Sequence, residues 1–303
     1  MAILNKSSDG LVSVLVAMVR SSVVLGEMPR KKLLDICCPR SLVGDKQEMG
    51  TQTLNRWHEL GLFDISEHHS VKIMEEFRKE LKNANATAEA IAETARKIVL
   101  SGANNQKFWS DEKNKSADFT RAAAWMLAQD VHTFVPTSHA AVEPLCNAQA
   151  LSSEVILLQN DTRWPGYKSW ATFLGFGRSD SGKASGGFIT DPTPAIRRQA
   201  IELLPKKGDT TINDFVEGLA FSIPVLDGGE YRKEVESKLK PDKWKAPGAG
   251  ELSTSLSRAL LRLRASGAIR LERRSDSEVQ MKLVGRDRSV VEGVTHVLRG
   301  DST

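Results

Sequence analysis

Residues 53–63 read TLNRWHELGLF and residues 259–269 read ALLRLRASGAI, and the two passages superpose without a gap. Gly61 falls on Gly267, Leu54 on Leu260, Trp57 on Leu263 and Phe63 on Ile269. Around Leu54, the residues Gly50, Thr53, Trp57 and Leu60 recur at helical spacing on one side. Glu48, Thr51, Gln52, Asn55 and Glu59 fall on the other. Glycine then closes the helix, because it accepts a positive φ that a side chain resists. An apolar residue opens a strand just beyond. One local pattern met twice predicts one local structure built twice.

Outward from the first passage, LVSVLVAMV (11–19) and the residues to Val24 predict a buried helix. SSDG (7–10) supplies helix-capping residues before it. The apolar run is far too short to span a bilayer and no A-x-A-like cleavage site follows it. Pro29 suits the first turn of a second helix, PRKKLLDICC (29–38), and EMGTQTLNRWHEL (48–60) makes the third. Helix, turn-helix, helix, glycine, strand is the order of a winged helix-turn-helix, whose third helix usually enters a major groove.

The far end repeats this order. INDFVEGLAFSIP (212–224) predicts a first helix, GGEYRKEVESKL (228–239) a second, and the helix from 251 a third. AIRLERR and EVQMKLV then alternate apolar and polar residues at period two, which predicts a hairpin turning at Ser-Asp-Ser. Residues 251–288 carry nine basic side chains against five acidic ones. Thr254, Ser257 and Arg258 are the candidates for base edges, with Arg262, Arg270, Arg273, Arg274 and Lys282 on phosphates. Through residue 66 the balance is eight basic to seven acidic. There Thr51, Gln52, Asn55 and Arg56 form the candidate reading face, and Glu48 and Glu59 repel phosphate. Protein docking is the rival use of either module, since fold does not fix function.

Between the ends, 67–100 and 116–130 read as helices, with a break at the NANA stretch of the first. SSEVILLQND (152–161), a turn at Trp164-Pro165-Gly166 and a following helix resemble a degenerate third helix-turn-helix. Within GFGRSDSGKASGG (175–187), Gly177-x-x-x-x-Gly182-Lys183-Ala184 stops one hydroxyl short of a phosphate-binding loop. Ala184 cannot hold magnesium, and SGGFITDPTP cannot open the helix such a loop requires. The stretch reads instead as the loop of a wing, returning through FITDP. The expected fold class is therefore mainly α with small β hairpins. Winged helices occupy 1–66 and 206–303, a helical region 67–135 and a winged-helix-like module 136–205.

No GxSxG, HExxH or paired-carboxylate motif is present, and His139 and Glu143 have no supporting spacing. His68 and His69 are adjacent and would diverge on a helix. Cys37, Cys38 and Cys146 form no CxxC pair, which suits a reducing cytoplasm. These residues predict no enzymatic activity, no cofactor, no metal and no membrane partner. Net charge is +4, with 26% charged and 40% hydrophobic residues. That balance permits a nucleic-acid partner without demanding one.

ILNKSSDGLVSVLVAMVR, TLNRWHELGLF, FLGFG with FITDPTPAIR, FSIPVLDGGEYRKEVE and SLSRALLRLRASGAIRLE, in this order, resemble the DpdG family. Its members are components of bacterial gene clusters that install 7-deazaguanine bases in DNA and restrict foreign DNA. The resemblance implies an antiviral role on the restriction side, beside larger helicase- or nuclease-like subunits. It carries over no site residues. Double-stranded DNA and those subunits are the expected partners. The alternative is a scaffold or homodimer whose helices 67–135 form the interface, with Trp57, Trp109, Trp125 and Trp170 as possible anchors or core residues.

Overall fold

The computed structural model describes residues 3–4, 11–43, 47–110, 115–158, 160–179, 187–275, 277 and 279–300. In chain order it begins α1 (Val12–Leu25), β1 (Met28–Pro29), α2 (Arg30–Cys37), α3 (Arg40–Val43), α4 (Glu48–Glu59), β2 (Phe63–Ile65) and β3 (Ser70–Ile73). Next come α5 (Glu75–Asn83), α6 (Ala88–Leu100), α7 (Gly102–Asn105), α8 (Ala117–Ala128), α9 (His139–Gln149) and α10 (Arg163–Phe173). After β4 (Gly177–Ser179) and β5 (Phe188–Thr190) follow α11 (Thr193–Leu203), β6 (Asp209–Thr211), α12 (Ile212–Ser222), α13 (Glu230–Glu236) and α14 (Thr254–Ala265). The last strands are β7 (Ile269–Glu272), β8 (Met281–Val284), β9 (Val290–Val294) and β10 (His296–Arg299). The architecture is mostly helical with small antiparallel sheets. Internal contacts divide it into two compact units, Met1–Phe119 with Thr162–Leu174, and Thr120–Asp161 with Gly175–Thr303.

In the first unit, α1 packs on α2 and α4, and the sheet runs in the order β1-β3-β2. Gly50, Thr53, Leu54, Trp57 and Leu60 are all buried, as their helical spacing predicts. Gly50 lets α4 approach α2 closely, since a Cβ there would lie 2.8 Å from the Cys38 Sγ. Gly61 leaves the helix at φ 96°, and Phe63 enters β2 opposite Ile73. The expected helix from 67 onward is corrected here, because β3 occupies Ser70–Ile73. Val71 and Ile73 point into the core, a period of two over only four residues. The break at NANA is present: Asn85 and Ala86 take φ of 51° and 44°, and Thr87 then caps α6 through the Ala90 N–H.

Helix α10 begins at Arg163, so Trp164-Pro165-Gly166 forms its first turn instead of a turn between two helices. A proline in that turn forfeits only an N–H that has no intrahelical partner. Residues 152–158 and 160–161 are turns and coil, so the expected helix at 152–161 is absent among the described residues. Trp170 of α10 lies against Trp57 with ring centroids 5.5 Å apart. Buried Asp118 accepts the Leu4 N–H at 3.0 Å and pairs with buried Arg163 at 3.6 Å. Breaking such a pair from one side typically costs about 3–5 kcal/mol.

In the second unit, β4 and β5 form the expected antiparallel hairpin, Gly177 opposite Thr190 and Ser179 opposite Phe188. A second three-stranded sheet runs β6-β10-β7. Helix α11 packs on α12 and α14 as α1 packs on α2 and α4. The helix standing in the place of α1 is therefore α11, at 193–203, instead of the stretch 212–224 that the sequence suggests. Helix α12 takes the place of α2, α14 that of α4, and α13 is inserted between them. Gly267 leaves α14 at φ 71°, the counterpart of Gly61.

The expected hairpin of AIRLERR with EVQMKLV does not form. Strand β7 pairs with β10, Ile269 opposite Arg299 and Glu272 opposite His296, whereas β8 pairs with β9. Both alternating segments exist, but each finds its partner within 290–299. The inserted α13 carries Arg232, 1% exposed, between Asp227 and Glu236.

Candidate nucleic-acid interface

Helix α4 is held by its apolar side, which leaves Thr51, Gln52 and Asn55 half-buried at its outer edge. The Asn55 Oδ1 accepts the Arg30 Nη2 at 2.9 Å, so its amide hydrogens remain available to a ligand. Gln52 donates to Glu48 at 3.1 Å across one exposed turn. Lys31 and Lys32 stand exposed on the first turn of α2, beside Arg30. Arg56 differs from the other three candidates: it is 2% exposed and belongs to the interior of the module. A side chain packed in this way does not meet a base edge.

Helix α14 presents a narrower face. Its cap, Ser253, accepts the Leu256 N–H and donates to Asp227. Thr254 accepts the Val131 N–H at 3.1 Å, and Ser255 donates to the Leu127 carbonyl at 2.7 Å. Ser257 accepts the Val284 N–H at 2.9 Å and is fully buried. Thr254 and Ser257 therefore hold the second unit together and are not at a surface where a groove could reach them. Sequence periodicity marks them as polar; their backbone partners lie too far along the chain to be read from it.

The outer side of α14 carries Arg258 and Arg262, one turn apart and half-buried. Arg262 is ion-paired with Asp191, whose carboxylate also accepts the Thr193 hydroxyl at 2.6 Å. The pKa of Arg258 is lowered by burial first and then by the nearby Arg262, with Arg178 of β4 adding to the repulsion. Arg178 is exposed at the base of the β4–β5 hairpin, and Arg197 is exposed on α11. Arg258, Arg262 and Arg178 thus gather about the Asp191 carboxylate, an excess that an incoming phosphate would relieve. Arg197 was not singled out by the sequence, because its partner, the Ser266 hydroxyl at 2.8 Å, comes from another element.

The remaining predicted cations split by environment. Arg270 and Arg273 are exposed and Lys282 is half-buried on β8. Arg274 donates to Glu272 at 2.8 Å and to Asp209 at 2.6 Å, bonds that raise its pKa and match its charge within the module. Lys183 and Ala184 lie outside the described residues.

His139 and Glu143 share α9, with Nδ1 3.9 Å from the Glu143 carboxylate and 3.1 Å from Asp161. Cys146 lies on the same helix, and burial, with Glu143 nearby, pushes its thiol up to about 12, so it stays protonated and unreactive at neutral pH. No group of three or more metal-ligating side chains comes together among the described residues. No described helix is long and apolar enough to cross a membrane.

No curated protein and no solved structure matches the chain. A family model described as DpdG-like matches residues 1–277. The match covers most of the sequence, both modules included up to β7. The chain therefore belongs to the DpdG-like family and is a component of a Dpd defence system.

Proposed function

We propose that this protein is a DNA-binding adaptor of the restriction machinery, with no chemistry of its own. Two winged helix-turn-helix modules hold duplex DNA, and other Dpd subunits, helicase- or nuclease-like, act on it. The observation that carries this reading is a recurrence. With the short α3, the inserted α13 and the β8–β9 pair set aside, helix, strand, helix, helix, strand, strand occurs at both ends of the chain, the first strand beside the last and the last beside the second. That connectivity suits a third helix offered to a groove with a strand pair beside it. In the N-terminal module Thr51, Gln52 and Asn55 are the groove-facing residues. In the C-terminal module Arg258, Arg262, Arg178 and Arg273 hold phosphates.

Anisotropy of a labelled duplex across a salt series tests it. Arg258→Gln with Arg273→Gln should weaken binding equally on unrelated sequences, and each lost phosphate contact should lower the salt slope by about 0.9. Gln52→Ala with Asn55→Ala should instead reduce the difference between sequences. Wild-type affinity in both pairs would end the proposal.

One observation favours protein docking as a second role. Val24 and Leu25 of α1 and Ile36 of α2 are exposed, at 80%, 54% and 43%. Exposed apolar side chains on two packed helices suit a partner subunit or a second copy of the chain. Helix α8 and most of α6 are buried, so they are not available as the interface considered for 67–135. Trp57, Trp125 and Trp170 are core residues, and Trp109 is half-buried. Size-exclusion chromatography with and without duplex separates the two roles.

A further inference from the structure

A groove of about 560 Å³ opens at the end of the β6-β10-β7 sheet. Strand register sets Asp209, Leu298 and Arg270 in one row across it. Arg299 ends β10, and Lys206 and Lys207 come from the exposed loop before β6. Among the described residues four cations thus line it against one carboxylate, and that carboxylate is turned to Arg274 at 2.6 Å. No aromatic ring among the described residues lines the groove, and Leu298 is the one large apolar residue among them that does. A base would find nothing to stack on, whereas a chain of phosphates would find charge without shape selection. The wing leaves β7 after Glu272 and rejoins at His296, at the opposite end of these strands.

We infer that this groove is a second, sequence-independent binding site for the phosphodiester backbone of nucleic acid, separate from α14 and the wing. This rests on the DNA-binding reading above and extends it: the C-terminal module grips the backbone at two places on opposite ends of one sheet. Lys206 and Lys207 are its principal contacts, being exposed and carried on a loop that can follow a strand. Arg270 and Arg299 sit at the strand ends and fix where the backbone crosses.

The test uses the full chain and a labelled DNA duplex in a salt series, with poly-L-glutamate as a second probe. Lys206→Gln with Lys207→Gln should lower the slope of log affinity against log salt by about 2 and weaken low-salt binding about tenfold, whatever the sequence. Lys206→Arg with Lys207→Arg should restore both. If the Gln pair binds as wild type while Arg258→Gln with Arg273→Gln is weakened, the groove proposal is overturned and DNA binding stands. If wild type binds no duplex, both are overturned. If the Gln pair loses poly-L-glutamate but keeps the duplex, the groove takes an acidic protein segment and the proposal is overturned.

Discussion

Replacing Ser257 by alanine separates a structural hydroxyl from a base-reading one. In the structure its Oγ accepts the Val284 N–H at 2.9 Å, with no exposure of the serine. The β8–β9 ladder shifts register between Leu283 and Val284, so the serine supplies an acceptor where strand pairing is irregular. Ser257→Ala leaves that N–H buried without its partner, a loss of about 1–3 kcal/mol. At about 2 kcal/mol the folding equilibrium shifts roughly thirtyfold, because 1.4 kcal/mol is tenfold. For a body of this size the thermal midpoint should fall by about 4–8 °C. Calorimetry measures the midpoint, and hydrogen exchange at the Val284 amide reports the bond itself. Duplex affinity, measured well below the new midpoint, should remain that of wild type. An unchanged midpoint and unchanged Val284 protection, together with weakened or altered duplex binding, would refute the assignment of Ser257 to the interior.

Two further outcomes follow from buried groups. Trp57→Ala removes a ring packed on Trp170 and should cost about 3–5 kcal/mol in denaturant unfolding; a loss below about 1 kcal/mol would contradict that packing. The Cys146 thiol, pushed up to about 12 from 9.0, favours the protonated folded state, so its contribution to stability is complete below about pH 9 and declines as pH rises toward 12. Thiol-reagent mapping near pH 8 should leave Cys146 unmodified in folded protein and label it after denaturation.

Helix α4 was legible because its information is local. Gly50, Thr53, Leu54, Trp57 and Leu60 share a side by spacing alone, and Gly61 marks the exit. Arg56 was not, since its burial comes from how the module closes around it. The C-terminal sheet hides for a related reason. Both 268–274 and 279–284 alternate, so the nearer pairing looks sufficient, yet the register is set by 290–299. The same distance effect conceals the basic groove. PKKGD (205–209) resembles any solvated loop until β10 brings Arg299 beside it. Thr254 and Ser257 show the converse: polar residues on a basic helix resemble readers, but their partners are backbone groups elsewhere in the unit.

The placement of β10 also orders events during synthesis. The N-terminal sheet draws all its strands from 28–73, so it can close while the rest of the chain is still being translated. The C-terminal sheet waits, because β6 and β7 both lean on β10 and have no direct pairing with each other. Until His296–Arg299 leaves the ribosome, two strand edges stand open, a condition that invites pairing with other chains. A fragment cut at 277, where the family match ends, would keep those edges open permanently. Such a fragment should aggregate, whereas one that retains β10 should not.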